Sequence, residues 1–325
     1  MNKDRRIPQK KERVVLIDGR NLLYRSHFSH IGLASKGKST SAIFGYPNIL
    51  KSIIWKLKPK KVYVVWDGKK SARRMEILPD YKRREKPRLG FDYEDFDRQE
   101  KVVRQILKYL GISQVYHPRM EADDLIYALS ERYKKKRNVY IVSSDKDFDQ
   151  LLCSRVRIWN DKENKLITHK NCKKIKGYTP EQCVSFLALT GDKSDNIPGY
   201  KGIGEAKAKQ FLEQFNTIEE FLGGANNGFK GIEAYKLKEV WKINKEMIDL
   251  AYHWHHNCRH IVPTDWFIKP DFNIEAFKEL AKKYSMDSLK KSIFVDEFKK
   301  QFHRSHTNKK LKNYGKVKIK SGTIN

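Results

Sequence analysis

The sequence predicts an α/β fold in which a parallel sheet, covered by helices on both faces, is followed by a helical region. Two observations carry that prediction. In the first half, short β-branched runs alternate with longer amphipathic runs, and strand–helix alternation is the mark of a parallel sheet. From about Thr179 the strand signals stop, and the chain reads as helices to about Lys299.

Taken in order, the elements are "RVVLID", a helix around "SAIFGYPNILKSIIWKL", "KVYVVWD", a helix near "DFDRQEKVVRQILKYL", "ISQVY", an acidic helix at "EADDLIYAL", and "NVYIVSSD". In the acidic helix Leu125, Ile126 and Leu129 share one stripe, so that face is buried. The segment from Gly68 to Tyr93 interrupts the alternation with nine Lys/Arg. Loops of that length inside a domain are functional or disordered. The last 27 residues, from Lys299, hold nine Lys/Arg and no acid, a composition expected to be largely disordered. The expected organisation is a first domain over 1–190 with an insertion at about 68–98, a helical region over 191–298 and a basic tail over 299–325. No internal repeat is evident.

At 325 residues and 39% hydrophobic content the chain can build a packed core. Its formal net charge of +29 exceeds what solubility needs and calls for a polyanionic partner. No apolar run approaches the roughly 18 residues of a membrane span. The start, "MNKDRRIPQKKER", lacks the apolar stretch of a signal peptide. Nucleic acid, rather than a membrane, is therefore the expected partner. The four cysteines form no C-x-x-C pair, so reduced thiols in a cytoplasmic protein are expected.

Three carboxylates, Glu121, Asp123 and Asp124, crowd the start of the acidic helix. Acids in a first turn gain roughly 0.3–1 kcal/mol each from the helix dipole. Yet unit charges ~4 Å apart repel by about 4 kcal/mol at an effective dielectric near 20. Taken alone, this window suits helix capping and a metal site equally. Other acids shift the balance. Asp18 closes the first strand, Asp67 the second, and Asp145 and Asp147 follow "VYIVSS". Open parallel sheets bind ligands at the carboxyl ends of their strands, and right-handed crossovers bring those ends to one side. Asp145 and Asp147, two apart in extended chain, should point the same way. Any one of these residues could be a turn or cap. Together they form a cluster that needs cations, and open carboxylate sites suit Mg²⁺ or Mn²⁺. Two such ions are the usual apparatus for in-line displacement at phosphorus.

Further on, "TGDKSDNIPGYKGIGEAKAKQFLEQF" sets Asp192 and Asp195 at i, i+3, neighbours on a helical turn. Gly199, Gly202 and Gly204 then form a hairpin opening a helix that carries Lys207 and Lys209. Glycines let backbone N–H groups approach a phosphate, and a helix N-terminus favours the anion. This combination suggests a helix-hairpin-helix on a DNA backbone.

Six motifs in one order, "LIDGRNLLYR", "VVWDG", "ILPDYKRRE", "EADDLIY", "SSDKDFDQLL" and "GDKSDNIPGYKGIG", resemble the 5′-nucleases. That family includes phage 5′→3′ exonucleases, flap endonucleases and the nuclease domain of bacterial DNA polymerase I, and the standalone phage enzymes look closest. The resemblance covers about 13–222 and implies a PIN-like, Rossmann-like domain with a helical arch, followed by a helix-hairpin-helix region. It implies metal ligands at Asp18, Asp67, Glu121, Asp123, Asp124, Asp145, Asp147, Asp192 and Asp195 for two or more Mg²⁺ or Mn²⁺ ions, with K⁺ at the hairpin. Asp149 looks instead like a helix-start residue. By the same likeness Lys82 contacts the scissile phosphate, Tyr81 stacks on a base and Arg25 lies near the reacting phosphate. Arg83 stands where a glycine is expected, so either Arg83 or Arg84 is the second phosphate ligand. Arg and Lys suit the charge of phosphoryl transfer, and an aromatic suits an unpaired base.

The implied activity is two-metal hydrolysis of DNA at 5′ ends, flaps or nicks, leaving 5′-phosphate and 3′-hydroxyl. RNA of RNA–DNA hybrids is a further expected substrate, and a monomer working beside replication proteins in replication or repair is expected. A fused polymerase does not fit 325 residues. The rival readings are a catalytically silent junction binder, which would gain nothing from nine acids, and a PIN-like ribonuclease, which would not need the glycine hairpin and arch. The segment "HWHHNCRH", from His253, matches no zinc spacing and reads as a surface or core-edge stretch. The basic tail reads as a nucleic-acid arm.

Overall fold

The structure is a computed structural model that describes residues 12–83, 90–224, 228–258 and 266–306. Arg84 and the tail beyond His306 lie outside the described residues. The chain opens with β1 (Arg13–Asp18), α1 (Gly19–Ser29), a small hairpin of β2 (Ala34–Ser35) and β3 (Lys38–Ser39), α2 (Ser41–Leu57) and β4 (Lys61–Trp66). The basic insertion contains α3 (Ala72–Ile77), and α4 (Tyr93–Tyr109), β5 (Ser113–Tyr116), α5 (Ala122–Lys134) and β6 (Asn138–Val142) follow. A 3₁₀ helix over Lys146–Leu151 leads to β7 (Val156–Asn160) and β8 (Lys165–Ile167).

The helical region comprises α6 (Cys172–Lys176), α7 (Cys183–Thr190), the short pair β9 (Gly191–Asp192) and β10 (Ile197–Pro198), and α8 (Glu205–Phe215). It continues through α9 (Ile218–Gly223), α10 (Ala234–Ile248) and α11 (Leu250–His253), which runs into a π-helical turn at Trp254–Cys258. After it come β11 (Phe267–Ile268), α12 (Ile274–Lys283) and α13 (Ser292–His306).

The main sheet has the order β11-β5-β4-β1-β6-β7-β8, with β5, β4, β1, β6 and β7 parallel and an antiparallel strand at each edge. β1 is central because Val14–Ile17 are fully buried on both faces, as parallel strands require. Leu125, Ile126 and Leu129 of α5 lie in one core layer with Val14 and Leu16. α2 and α4 close the other layer over Val15, Ile17 and Trp66. With β4, β1 and β6 adjacent, the segments after Trp66, Ile17 and Val142 emerge side by side at one sheet edge.

Three expectations change. The stretch from Thr179 is not helical throughout, since β9 pairs with β10 and β11 adds an edge strand beside β5. Asp192 and Asp195 therefore sit on a β-hairpin turn, not on a helical turn. Asp145 and Asp147 are not in extended chain: Asp145 caps the 3₁₀ helix, and its Oδ1 accepts the Asp147 N–H at 2.9 Å. Finally, the basic tail does not begin as disorder at Lys299. Phe294, Phe298 and Gln301 are buried along α13, in a layer shared with Phe277 of α12 and the core residues of α2. Phe302 stacks on Phe272 at 4.4 Å. Residues 266–306 thus return from the helical region to the first domain. The count of charges concealed an aromatic stripe at helical spacing.

Truncating the fully buried Phe298 to Ala should cost about 3–5 kcal/mol. The Lys299→Ala change beside it, at a half-exposed position, should stay within about 0.5 kcal/mol. Urea unfolding of both variants checks this, and equal, small effects would mean that α13 is not docked.

Candidate metal and nucleic-acid site

The acids gather where the sheet order brings the strand ends together. Asp18, the last residue of β1, accepts the Asn21 N–H at 3.1 Å and the Ser143 hydroxyl at 3.0 Å, which ties the end of β1 to the end of β6. Asp67, just past β4, accepts the Ala122 N–H at 2.9 Å and so fixes the first turn of α5 beside it. Gly68 makes that junction possible. A Cβ there would lie 2.1 Å from the His117 carbonyl and 2.7 Å from that of Met120.

On the opposite rim, the β9–β10 turn carries Asp192, whose Oδ1 accepts the Ser194 N–H at 2.7 Å and hydroxyl at 2.6 Å. The turn is clamped because Gly191, with φ 72°, and Gly199 pack backbone on backbone. A Cβ on Gly199 would lie 2.4 Å from the Thr190 carbonyl carbon.

The electrostatics show that the carboxylates act on one another. Burial, then the Asp67 charge, pushes Asp18 up to about 7. Burial lifts Asp147 well above the usual carboxylate range, helped by Asp145, Asp192 and Asp195. Asp123 rises likewise through burial, with Lys82 opposing and Asp145, Asp18 and Asp67 adding repulsion. Asp145 is raised by burial against the Asp147 N–H, and Asp195 is raised to about 6 by burial with Lys82 opposing. Asp192 stays low despite burial, held by Ser194 and Lys146. Seven aspartates on five segments therefore share one field. Their oxygens suit a hard divalent cation, and the buried Asp147 Oδ1 accepts no hydrogen bond from the described residues.

The other two predicted ligands differ. Glu121 lies at the cluster edge, where its oxygens accept Lys82 Nζ at 3.0 Å, Arg74 Nη1 at 2.6 Å and the Tyr81 hydroxyl at 3.1 Å. Against its burial, Lys82 and Arg74 hold it down at about 2. Asp124 points away from the cluster. Both its oxygens are taken by Arg74, at 3.0 and 3.2 Å, so it is a structural ion-pair partner rather than a metal ligand. Arg74 is itself only 2% exposed. Nothing in "SARRMEIL" distinguished it from its exposed neighbour Arg73.

Asp124, His253 and Cys258 bring ligand atoms within 4.8 Å of one another. The Arg74 guanidinium already fills the Asp124 side, and Ser71 Oγ meets His253 Nε2 at 3.2 Å, so this trio reads as a packed polar joint. Burial, followed by Arg74, holds His253 down at about 4. Asp149, set aside in the sequence as a helix-start residue, is fully buried against Tyr178 and Lys176.

The insertion residues also divide. Lys82 reaches the cluster rim, 3.6 Å from Asp195 and 3.8 Å from Asp123. Tyr81 is corrected from stacking residue to core residue: it is 3% exposed, with its hydroxyl on Glu121. Arg83 is exposed and pairs with Asp80 at 3.1 Å. Arg25 pairs with Asp161 and lines a cavity with Asn21, Ser143 and Ser144, beside the cluster rather than in it.

In the glycine hairpin, Gly202 (φ 83°) and Gly204 are open, with space where a Cβ would be. Gly204 precedes α8, and Lys207 is exposed. Gly199 instead serves the protein's own packing. Lys209 lies against Gly177 and the Phe186 ring.

Two family models match the chain. The N-terminal resolvase-like domain of 5′-3′ exonucleases covers residues 13–177, and their C-terminal SAM fold covers residues 178–260. The 5′-3′ exonuclease of Aquifex aeolicus (strain VF5) is 34% identical over 239 residues, 73% of this chain and 78% of that protein. The thermostable DNA polymerase I of Thermus caldophilus is 37% identical over 214 residues, 65% of this chain but only 25% of the polymerase. The chain thus spans about a quarter of the length of that polymerase relative. Among solved structures, T5 5′-exonuclease with divalent zinc ions bound matches with a TM-score of 0.63 at 20% identity, covering 90% of this chain and 98% of that one. Flap endonuclease-1 from Methanococcus jannaschii matches with a TM-score of 0.51 at 20% identity, covering 90% and 93%. At such identities these two support the fold.

Crowded like charges make the site unstable by itself. Asp145→Asn keeps the oxygen that caps Asp147 and removes one charge. In EDTA it should gain ~1 kcal/mol or more, a rise of about 2–4 °C in Tm. Mn²⁺ should raise the Tm of the unsubstituted protein and raise that of Asp145→Asn less. Scanning calorimetry with and without Mn²⁺ checks both shifts.

Proposed function

Because the chain belongs to the 5′-3′ exonuclease family, we propose that it is a divalent-metal-dependent nuclease hydrolysing DNA phosphodiesters at 5′ ends and flaps. The observation that carries the reading is the convergence of seven buried or half-buried aspartates at one sheet edge with Lys82 on their rim. A protein that only bound DNA would gain nothing from a field that repels phosphate.

Asp18, Asp67, Asp123, Asp145, Asp147, Asp192 and Asp195, with Glu121 at the edge, would hold two Mg²⁺ or Mn²⁺ ions. When bound, such ions neutralise the charge that develops on a phosphate under in-line attack. The remaining work falls to the chain itself. Lys82 supplies a mobile ammonium that can pass from the carboxylates to a non-bridging phosphate oxygen. Arg74 and Tyr81 fix Glu121, so the rim keeps one orientation. Gly202 and Gly204 present open backbone ahead of α8, and Lys207 adds a phosphate contact on the duplex, with K⁺ as a proposed further ion there. Arg25, Arg83 and Arg84 remain candidates for phosphate contacts away from the metals.

The proposed setting is a cytoplasmic monomer acting in replication or repair, with RNA of RNA–DNA hybrids as a second substrate. Among the described residues no helix is long and apolar enough to cross a membrane.

End-labelled 5′-flap, nicked and RNA-primed duplexes, each with Mg²⁺ or EDTA, test the reading directly. Mg²⁺-dependent release of products with 5′-phosphate and 3′-hydroxyl ends is expected, and intact substrates with tight binding would favour the silent binder. The Asp145→Asn/Asp147→Asn double variant should lose cleavage yet bind flap DNA at least as tightly, because repulsion falls. Substantial Mg²⁺-dependent cleavage by it would remove those two aspartates from the site. Lys82→Ala should slow single-turnover cleavage by about 10²-fold with a much smaller change in affinity. Equal losses in rate and affinity would make Lys82 an ordinary phosphate anchor.

A further inference from the structure

Asn196, at the end of the β9–β10 turn, makes a contact that no motif foretold. Its backbone is left-handed, with φ 58°. Its side-chain Nδ2 donates to the carbonyl oxygens of Asp80 at 2.8 Å and Arg83 at 2.6 Å, in the basic insertion more than a hundred residues earlier. Those two carbonyls bracket the turn that carries Lys82, which is closed by the Arg83 N–H on the Asp80 carbonyl at 2.9 Å. One further bond joins the same segments, and another braces the turn from within the insertion. The Lys82 N–H donates to the Asp195 carbonyl at 3.0 Å, and Lys70 Nζ donates to the Lys82 carbonyl at 2.8 Å. Lys82 is itself left-handed, with φ 50°, a conformation that a Lys backbone rarely adopts unless its surroundings impose it.

We propose that Asn196 is a positioning residue of the nuclease reaction, clipping the Asp80–Arg83 turn to the hairpin that carries Asp192 and Asp195. The base of the insertion and one wall of the acid cluster then move as one body. This proposal rests on the reading of Lys82 as the phosphate-contacting cation.

Asn meets both demands of the position. A single NH₂ group offers two N–H donors, one for each carbonyl. Asn also tolerates the left-handed backbone better than other side chains of its size. Aspartate would keep the shape but turn an acceptor toward two acceptors. Glycine would keep the backbone and lose both bonds. In either variant the Asp80–Arg83 turn loses both of its carbonyl bonds to the hairpin and keeps there the Lys82 N–H on the Asp195 carbonyl, and a reacting group displaced by about 1 Å can lose on the order of 10²-fold in rate.

The test is single-turnover cleavage of a 5′-flap DNA by the full chain carrying Asn196→Gly or Asn196→Asp, each in the unsubstituted and in the Lys82→Ala background. Flap affinity, Mn²⁺-induced Tm shift and metal-free Tm are measured alongside, because glycine preserves the positive φ and should leave the fold intact. Each variant should slow cleavage by about 10-fold or more, with flap affinity and the Mn²⁺ shift little changed. In the Lys82→Ala background the same substitutions should add less than about 2-fold, since a residue acting through Lys82 has nothing left to position. Full-rate cleavage by Asn196→Gly overturns the proposal. So does a slow Lys82→Ala enzyme in which the Asn196 loss is undiminished, which would assign Asn196 to the cluster or the fold. A full-rate Lys82→Ala enzyme removes the reading of Lys82 and the proposal with it, and is recognised by that single variant alone.

Discussion

Mutual repulsion among the aspartates at the carboxyl end of the sheet is the constraint around which the rest of this molecule is arranged. Burial raises the cost of each charge, and neighbouring carboxylates raise it again, so that Asp18 is held near 7 and Asp147 well above its ordinary range. Such a cluster persists only where the backbone leaves its members nowhere to go. β4, β1 and β6 lie side by side in parallel, the Ala122 N–H ties α5 to Asp67, and the Gly191–Gly199 contact presses the hairpin against its own base. Each restraint belongs to a rigid element or to a turn stiffened by local bonds. The fold thus holds the cluster together at the expense of stability.

The chain's own cations are distributed with the same economy. Arg74 is spent inside the protein, where it neutralises Glu121 and Asp124 and takes the Met247 carbonyl at 3.2 Å, joining the base of the insertion to α5 and α10. Lys82 is kept at the surface of the cluster, where it faces three carboxylates and remains a quarter exposed. A buried guanidinium with fixed partners is a structural joint, because removing any partner would strand a charge. A flexible ammonium on a rim can exchange carboxylate for phosphate. The two cations sit eight residues apart in one basic run and differ in depth as well as in headgroup.

Much of this was legible in the sequence, and the exceptions share one cause. Strand ends marked by Asp18, Asp67 and Asp145 were readable because β-branched runs and their terminal acids are local signals. The acidic start of α5 was readable as a cluster, but which acid faces it was not. Asp123 and Asp124 are adjacent, and only the helix phase against the sheet decides that one meets the cluster and the other meets Arg74. The resemblance implies a base-stacking Tyr81, yet the insertion folds down at that point and buries its ring. The same blindness hid Phe298 and Phe302 in a run of lysines. β7 and β8 were not singled out, and β9, β10 and β11 have only two residues each, too few for any periodicity to show. Composition reports what a segment could afford to expose, whereas burial depends on what lies opposite it.

Anomalous diffraction from a crystal of this protein soaked in Mn²⁺ tests most directly whether the aspartate cluster is a metal centre. Two manganese peaks are expected, with ligands drawn from Asp18, Asp67, Asp123, Asp145, Asp147, Asp192 and Asp195, with Glu121 at the edge, and with none at Asp124. A cluster free of manganese, or manganese at Asp124, His253 and Cys258 instead, would contradict it.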